Sequence, residues 1–186
     1  MSRILTSRYF RDTFPIMNTQ RDLIDELIAA WQHSRPTLDP SPLAIIGRVL
    51  VLASQLERSV ETALAKHGIS LGQFDILATL RRAGPRGKLT PTELLKSVVL
   101  SSGAMTTRLD KLEASGLIQR QADPSDRRGV VIELTGKGKK VIDAATKTRF
   151  AEAKQSLPPL DAKEMCTLEE MLRRWLIARS EEKSEL

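Results

Sequence analysis

A mainly α-helical fold with one small β-hairpin is what this sequence of 186 residues predicts, on three observations. Apolar residues recur at helical spacing in several separate stretches. A single pair of β-rich runs, Ile118 to Gln121 and Val130 to Leu134, stands among them. The turn joining that pair, Asp123-Pro-Ser-Asp-Arg-Arg-Gly129, is polar and carries two adjacent arginines.

Immediately before the hairpin, Met105, Leu109 and Leu112 fall at i, i+4 and i+7, with Ser101 or Ser102 placed to cap the helix start and Gly116 its end. At about 100° per residue, the opposite face holds Gly103, Thr106, Thr107, Asp110 and Lys111. These side chains are small or polar and suited to base edges and phosphates. Arg108 lies on the flank of the apolar stripe, where it can turn inward as easily as outward. A short helix apolar on one edge, followed by a hairpin with a basic tip, has the form of a winged helix-turn-helix. In that arrangement the helix enters the major groove and the hairpin tip reaches phosphate or the neighbouring minor groove.

The other elements follow in chain order. Thr19 to Ser34 places Leu23, Ile24, Leu27, Ile28 and Trp31 on one helical face, with Thr19 or Asn18 as cap. By pattern alone Trp31 is a core residue. Three prolines between Arg35 and Pro42 break the chain before a longer helix, Leu43 to His67, which Gly68 stops. His67 reads as a residue interacting with the helix dipole and not as a metal ligand. Leu71 to Ala83 is the next helix, carrying Asp75 and Arg82 seven apart on one side; Gly84-Pro-Arg-Gly87 ends it. Lys88 to Thr90 forms a short strand. Thr90 then caps Pro91 to Val98, the first half of the helix-turn-helix. After the hairpin, Thr135 caps a helix running to about Leu157, and Asp161 begins a last one with a stripe of Met165, Leu168, Leu172 and Leu176. The expected organisation is a flexible tail over 1–18, with Met17 as an alternative start. N-terminal and spanning helices follow over 19–68, the DNA-binding lobe over 69–135 and C-terminal helices over 136–186. The terminal helices lack a lobe of their own to pack on, and a symmetric homodimer covers them economically.

Charge agrees with a polyanionic partner. The chain carries +6 overall, and between Arg81 and Arg128 ten Lys and Arg stand against five Asp and Glu. The single cysteine, Cys166, excludes an intramolecular disulfide framework and suits a cytoplasmic protein. No apolar run reaches the length of a membrane span. No metal-ligand spacing, phosphate-binding loop or nucleophile–base pair is present, so neither an enzyme nor a cofactor is expected.

Several fragments in order, Leu89-Thr-Pro-Thr-Glu-Leu94, Ser101-Ser-Gly-Ala-Met-Thr-Thr-Arg-Leu-Asp-Lys-Leu-Glu113, Gly116-Leu-Ile118 and Asp123 to Gly129 followed by Leu134-Thr135, resemble the MarR family of bacterial transcription regulators. The resemblance implies a winged-helix homodimer on a pseudo-palindromic double-stranded operator, released by a small molecule. It implies DNA contacts from Ser101, Ser102, Gly103, Thr106, Thr107 and Lys111 of the recognition helix and from Arg127 and Arg128 of the wing. Within the family the chain is similar to the urate-responsive, PecS- and HucR-like branch. That branch has an extra N-terminal helix bearing a Trp, an Asp and an Arg seven apart before the helix-turn-helix, and an Arg in the recognition helix. Trp31, Asp75, Arg82 and Arg108 match those positions. The resemblance implies that Trp31 and Arg82 hold an anionic purine, while Asp75 and Arg108 pass its arrival to the reading helix through a pairing the anion disturbs. The alternatives are an ordinary salt-bridge cluster at these positions, a regulator answering another aromatic or phenolic ligand, a DNA-binding protein without a ligand, and a thiol redox sensor. The last depends on Cys166, which reads as structural beside Met165 and Leu168 with no resolving cysteine in the chain.

Overall fold

The computed structural model describes residues 20–83, 87–98, 102–123 and 126–181. The chain divides into two compact units, before and after the Glu57–Arg58 peptide, and each is taken by itself.

In the first unit, α1 (Leu23–Ser34) starts at Asp22, whose carboxylate accepts from the amides of Ile24 and Asp25 while Asp25 reaches back to the Asp22 amide. The caps expected at Asn18 or Thr19 lie outside the described residues, and the helix begins at Leu23. Aspartate wins because its oxygen is placed to take two of the amides that the first turn leaves unpaired. Arg48, on α2 (Leu43–Ala65), clasps this cap from the side, with Nε 2.8 Å from Asp22 and Nη2 2.7 Å from Asp25. The guanidinium holds both carboxyls below the usual range. Gly47 admits Ile24: a Cβ there would come within 2.9 Å of the Ile24 Cδ1. Ile24 is the buried residue of α1, whereas Leu23, Leu27 and Trp31 keep their surfaces open. Trp31 is 46% exposed, so the expectation of a core tryptophan fails in the single chain.

The second unit is built around Leu64, Ile76, Leu77, Leu80, Leu94, Met105, Leu112, Ile118, Ile132 and Ile142, all fully buried. They come from the end of α2, from α3 (Leu71–Arg82), α4 (Pro91–Ser97), α5 (Ser102–Ala114), β2 (Ile118–Asp123), β3 (Asp126–Leu134) and α6 (Gly136–Gln155). Truncating one such leucine or isoleucine to alanine costs roughly 2–5 kcal/mol. Gly68, which ends the second helix, has φ +69°, and the positive φ accounts for glycine there. The His67 ring reaches Thr148 of α6, its Nε2 2.8 Å from the hydroxyl, so it links two helices where a cap interaction was expected. Ser70 and Thr90 start α3 and α4 with reciprocal caps to Gln73 and Glu93, and Pro91 opens α4 as its sequence predicts.

The sheet is three-stranded and antiparallel, in the order β1-β3-β2, with β1 confined to Lys88–Leu89. The hairpin is longer than the sequence suggests. β2 runs to Asp123 and β3 starts at Asp126, so Arg127 and Arg128 lie within a strand and not in a loop. Ladder bonds come from the main chain, and a solvated strand has no need of the apolar alternation that sets its limits in sequence. The register passes from Ala122 opposite Val130 to Asp123 opposite Asp126, an irregularity that sets Arg127, Arg128 and Gly129 in an outsized bulge.

The junction after α5 is tight. Gly116 (φ +69°) donates to Glu113 and Leu117 donates to Leu112, closing the helix in a Schellman motif. The Thr135 amide donates to the Leu117 carbonyl, and its hydroxyl to the Gly116 carbonyl at 2.7 Å. Any Cβ on Gly138 would collide with that same Leu117 carbonyl. α7 (Ala162–Glu181) starts at Asp161, as expected, and buries none of its residues in the single chain. The Met165, Leu168, Leu172 and Leu176 stripe is therefore an open surface, with Leu176 70% exposed. Cys166, read as structural, is exposed on this uncovered helix.

Candidate nucleic-acid interface and ligand site

α5 is held by its apolar edge. Met105, Leu109 and Leu112 are buried, while Thr106, Thr107, Asp110 and Lys111 face outward. Ser102 and Gly103 fall in its first turn, and Ser101 lies outside the described residues. Asp110, on the polar face, is engaged from below: Arg120 of β2 places Nη2 2.6 Å from its carboxylate and Nη1 against Glu113. Arg120 is thereby committed to α5 and not to a nucleic acid. Lys137 donates to the Ser115 carbonyl, adding a cation to the C-terminal end of α5, where the helix dipole favours it. The outer face left by these contacts is polar and carries Thr106, Thr107 and Lys111.

The Asp, the two Arg of α3 and α5 and their surroundings form a second cluster. Gly72, Asp75, Thr79 and Arg82 share one face of α3, since their spacings of three, four and three keep within a narrow sector. Arg108 turns inward from α5 onto this face and lies against Gly72. Its Nη1 is buried with no hydrogen-bond acceptor, an unusual and costly condition for a guanidinium nitrogen. Arg82, exposed, donates to the buried Thr79 hydroxyl at 3.3 Å. Asp75 is half-buried and forms no hydrogen bond or ion pair with the described residues. Its carboxyl is pushed above the usual carboxylate range by burial, an effect that Arg149, Arg82 and Arg108 oppose but do not cancel.

Two expectations change here. The direct Asp75–Arg108 pair is not formed among the described residues, because Arg108 settles a turn nearer the start of α3 over Gly72. Arg149 of α6, which the sequence did not single out, opposes the effect of burial at Asp75 more than Arg82 or Arg108 does. Arg149 is 2.8 Å from Glu152, a buried carboxylate that Ser156 also engages at 2.7 Å. The hydrogen bond from Ser156 does most to keep the Glu152 carboxyl low. An i, i+3 pair in sequence reads as a surface pair, and nothing in it signals that the glutamate is buried. Trp31 belongs to the first unit and the other three ligand candidates to the second. A hollow of about 610 Å³ runs along α7 beside Leu172, Arg173, Leu176 and Ile177. It is lined by one helix alone, which makes it the groove of an uncovered apolar face, and it contains none of the cluster above. Among the described residues no group of His, Cys, Asp and Glu suits a metal, and no helix is long and apolar enough to cross a membrane.

A helix pair with a polar second helix, set between the first two strands of a three-stranded sheet whose β2–β3 hairpin forms the wing, defines the winged helix-turn-helix class of DNA-binding proteins. The MarR family model matches residues 69–130. The HTH-type transcriptional regulator PecS of Dickeya dadantii is 30% identical over 151 residues, covering 81% of this chain and 91% of that protein. The multiple antibiotic resistance protein MarR of Salmonella typhimurium is 33% identical over 133 residues, covering 70% and 90%. Among solved structures, a mutant MarR from E. coli complexed with operator DNA superposes with a TM-score of 0.64 at 28% identity, over 84% of this chain and 99% of that one. The chain belongs to the MarR family, as a transcriptional regulator and not an enzyme.

Proposed function

We propose that this chain is a cytoplasmic repressor that binds a pseudo-palindromic operator as a homodimer and releases it when urate or a related anionic purine binds. The observation that carries the ligand part is the inward-turned Arg108 of the recognition helix, with a buried Nη1 lacking an acceptor, a turn away on the same face of α3 from an Asp75 that has no hydrogen bond or ion pair among the described residues. An anion arriving there supplies what the guanidinium lacks and raises the electrostatic cost of an already strained carboxylate. Because Arg108 belongs to the reading helix, a ligand that draws on it has different affinities for the two positions of that helix, which is the condition for release. Arg82 adds a second cation, and Trp31 offers an indole to stack on a flat heterocycle. The similarity to PecS supports the branch, and the operator complex of the mutant MarR from E. coli supports DNA as partner. Thr106, Thr107 and Lys111, with Ser101, Ser102 and Gly103, read the groove; Arg127 and Arg128 hold phosphate. Uncovered apolar surface on α1 and α7 favours the dimer.

Adding urate to the protein–operator complex in a mobility-shift assay tests the reading. Release at millimolar urate, reduced in Trp31→Phe and Arg82→Ala, is expected. No release, or equal release from the variants, removes urate and leaves a MarR-family regulator of another ligand.

A further inference from the structure

We infer that Gly72 is a positioning residue of the recognition helix: the space left by its missing side chain seats the Arg108 guanidinium, and through that seat α3 fixes where α5 stands. The inference rests on the DNA-binding part of the reading above and not on the identity of the ligand. Gly72 is buried in the first turn of α3, a helix of 12 residues. It is absent from the glycines with positive φ, so the backbone does not require glycine there. Helix propensity favours alanine at such a position. What requires glycine is the approach of Arg108: a Cβ would lie 2.5 Å from its Cζ, 2.5 Å from its Nε and 2.9 Å from its Nη2. Since Nη1 has no acceptor, hydrogen bonding at that atom does not hold the guanidinium, and its position depends on the surface it rests upon. A methyl group at 72 drives the flexible end of Arg108 off α3. Asp75 stands on the same face one turn along and offers the displaced guanidinium a carboxylate, so the side chain draws α5 to a new position.

A double-mutant cycle on DNA binding without ligand tests this, using the full chain and a duplex selected by the wild type from random DNA. Gly72→Ala is expected to weaken binding by about five-fold or more, within the range that touching residues show. In an Arg108→Ala background the same substitution is expected to change affinity by less than about two-fold, because no guanidinium remains to be displaced. Effects that multiply independently, or an unchanged affinity in Gly72→Ala, overturn the inference. Melting curves accompany each variant. A loss of folding in Gly72→Ala that persists with Arg108→Ala also overturns it, since the glycine would then serve the packing of α3 itself. The cycle contains no urate, so failure of the urate reading leaves its outcome unaffected.

Discussion

Arg120 and Asp110 join the wing to the recognition helix: the Arg120 Nη2 stands 2.6 Å from the Asp110 carboxylate, and its other terminal nitrogen meets Glu113 one turn along. The two acids lie on α5 three residues apart, so one guanidinium spans a full helical turn. Arg120→Ala is expected to cost little stability, about 0–1 kcal/mol, because water reaches both acids, the side chains of Asp110 and Glu113 being 59% and 38% exposed. Its effect on operator affinity is expected to be larger than that small stability change implies, since the loss frees the reading helix from the wing. Chemical denaturation and anisotropy titrations on the same variant separate the two.

Arg127→Ala/Arg128→Ala is expected to weaken DNA binding while leaving the preferred sequence unaltered, with the salt slope falling by roughly 0.9 for each phosphate no longer neutralised. Changing Thr106, Thr107 or Lys111 is expected to alter the preferred sequence instead. Selection from random DNA with each variant distinguishes them, and an unchanged consensus for the α5 variants would turn the helix the other way round.

Asp75 supplies a pH test. Its raised folded pKa means the native state holds a proton that the unfolded chain has already released, so this residue lowers stability as pH climbs from the ordinary carboxylate range through the folded pKa. Asp75→Asn removes that loss. The melting temperature of Asp75→Asn relative to wild type is therefore expected to rise with pH across the acid range and to level off above it; a difference that is constant or falls with pH contradicts a buried, destabilised carboxylate.

Cys166 is exposed, and iodoacetamide is expected to modify it in a sample dilute enough to populate monomer, with protection as dimer forms. Cys166→Ser is expected to leave ligand-driven release unchanged. Loss of release in that variant favours the thiol sensor over the purine site. Mass spectrometry and the mobility shift read the two outcomes.

Helix positions were legible wherever a local rule decides them. Thr90-Pro91 starts α4, Gly68 and Gly116 end helices at positive φ, and Met105, Leu109 and Leu112 mark the buried edge of α5. The limits of the wing were not, since pairing of main-chain groups continues past the last apolar residue and Arg127 carries no mark of strand. Site residues were legible as spacing: Asp75 and Arg82 share a face as their separation requires. Where Arg108 comes to rest was not legible, because it depends on the absence of a side chain at Gly72, far away in sequence. Arg149 escaped for a similar reason, as its bearing on Asp75 arises only when α6 packs on α3. Trp31 and Cys166 were both read as inward from the company they keep. A stripe in sequence marks an apolar face without saying what covers it, and both residues stay exposed among the described residues.

The Leu117 carbonyl, lodged where Gly138 has no side chain and bonded to the Thr135 amide, gives the reading helix a hinge pin. The C-terminal end of α5 cannot slide without carrying the first turn of α6 with it, so movement of the helix takes the form of a swing about that end. A helix of 13 residues is about 20 Å long. A tilt of about 10° at the pin therefore carries its far tip through roughly 3 Å, close to the rise of one base pair. On the proposed DNA-reading role of α5, a rotation small enough to leave the core intact is enough to put the leading residues of the helix out of step with the bases.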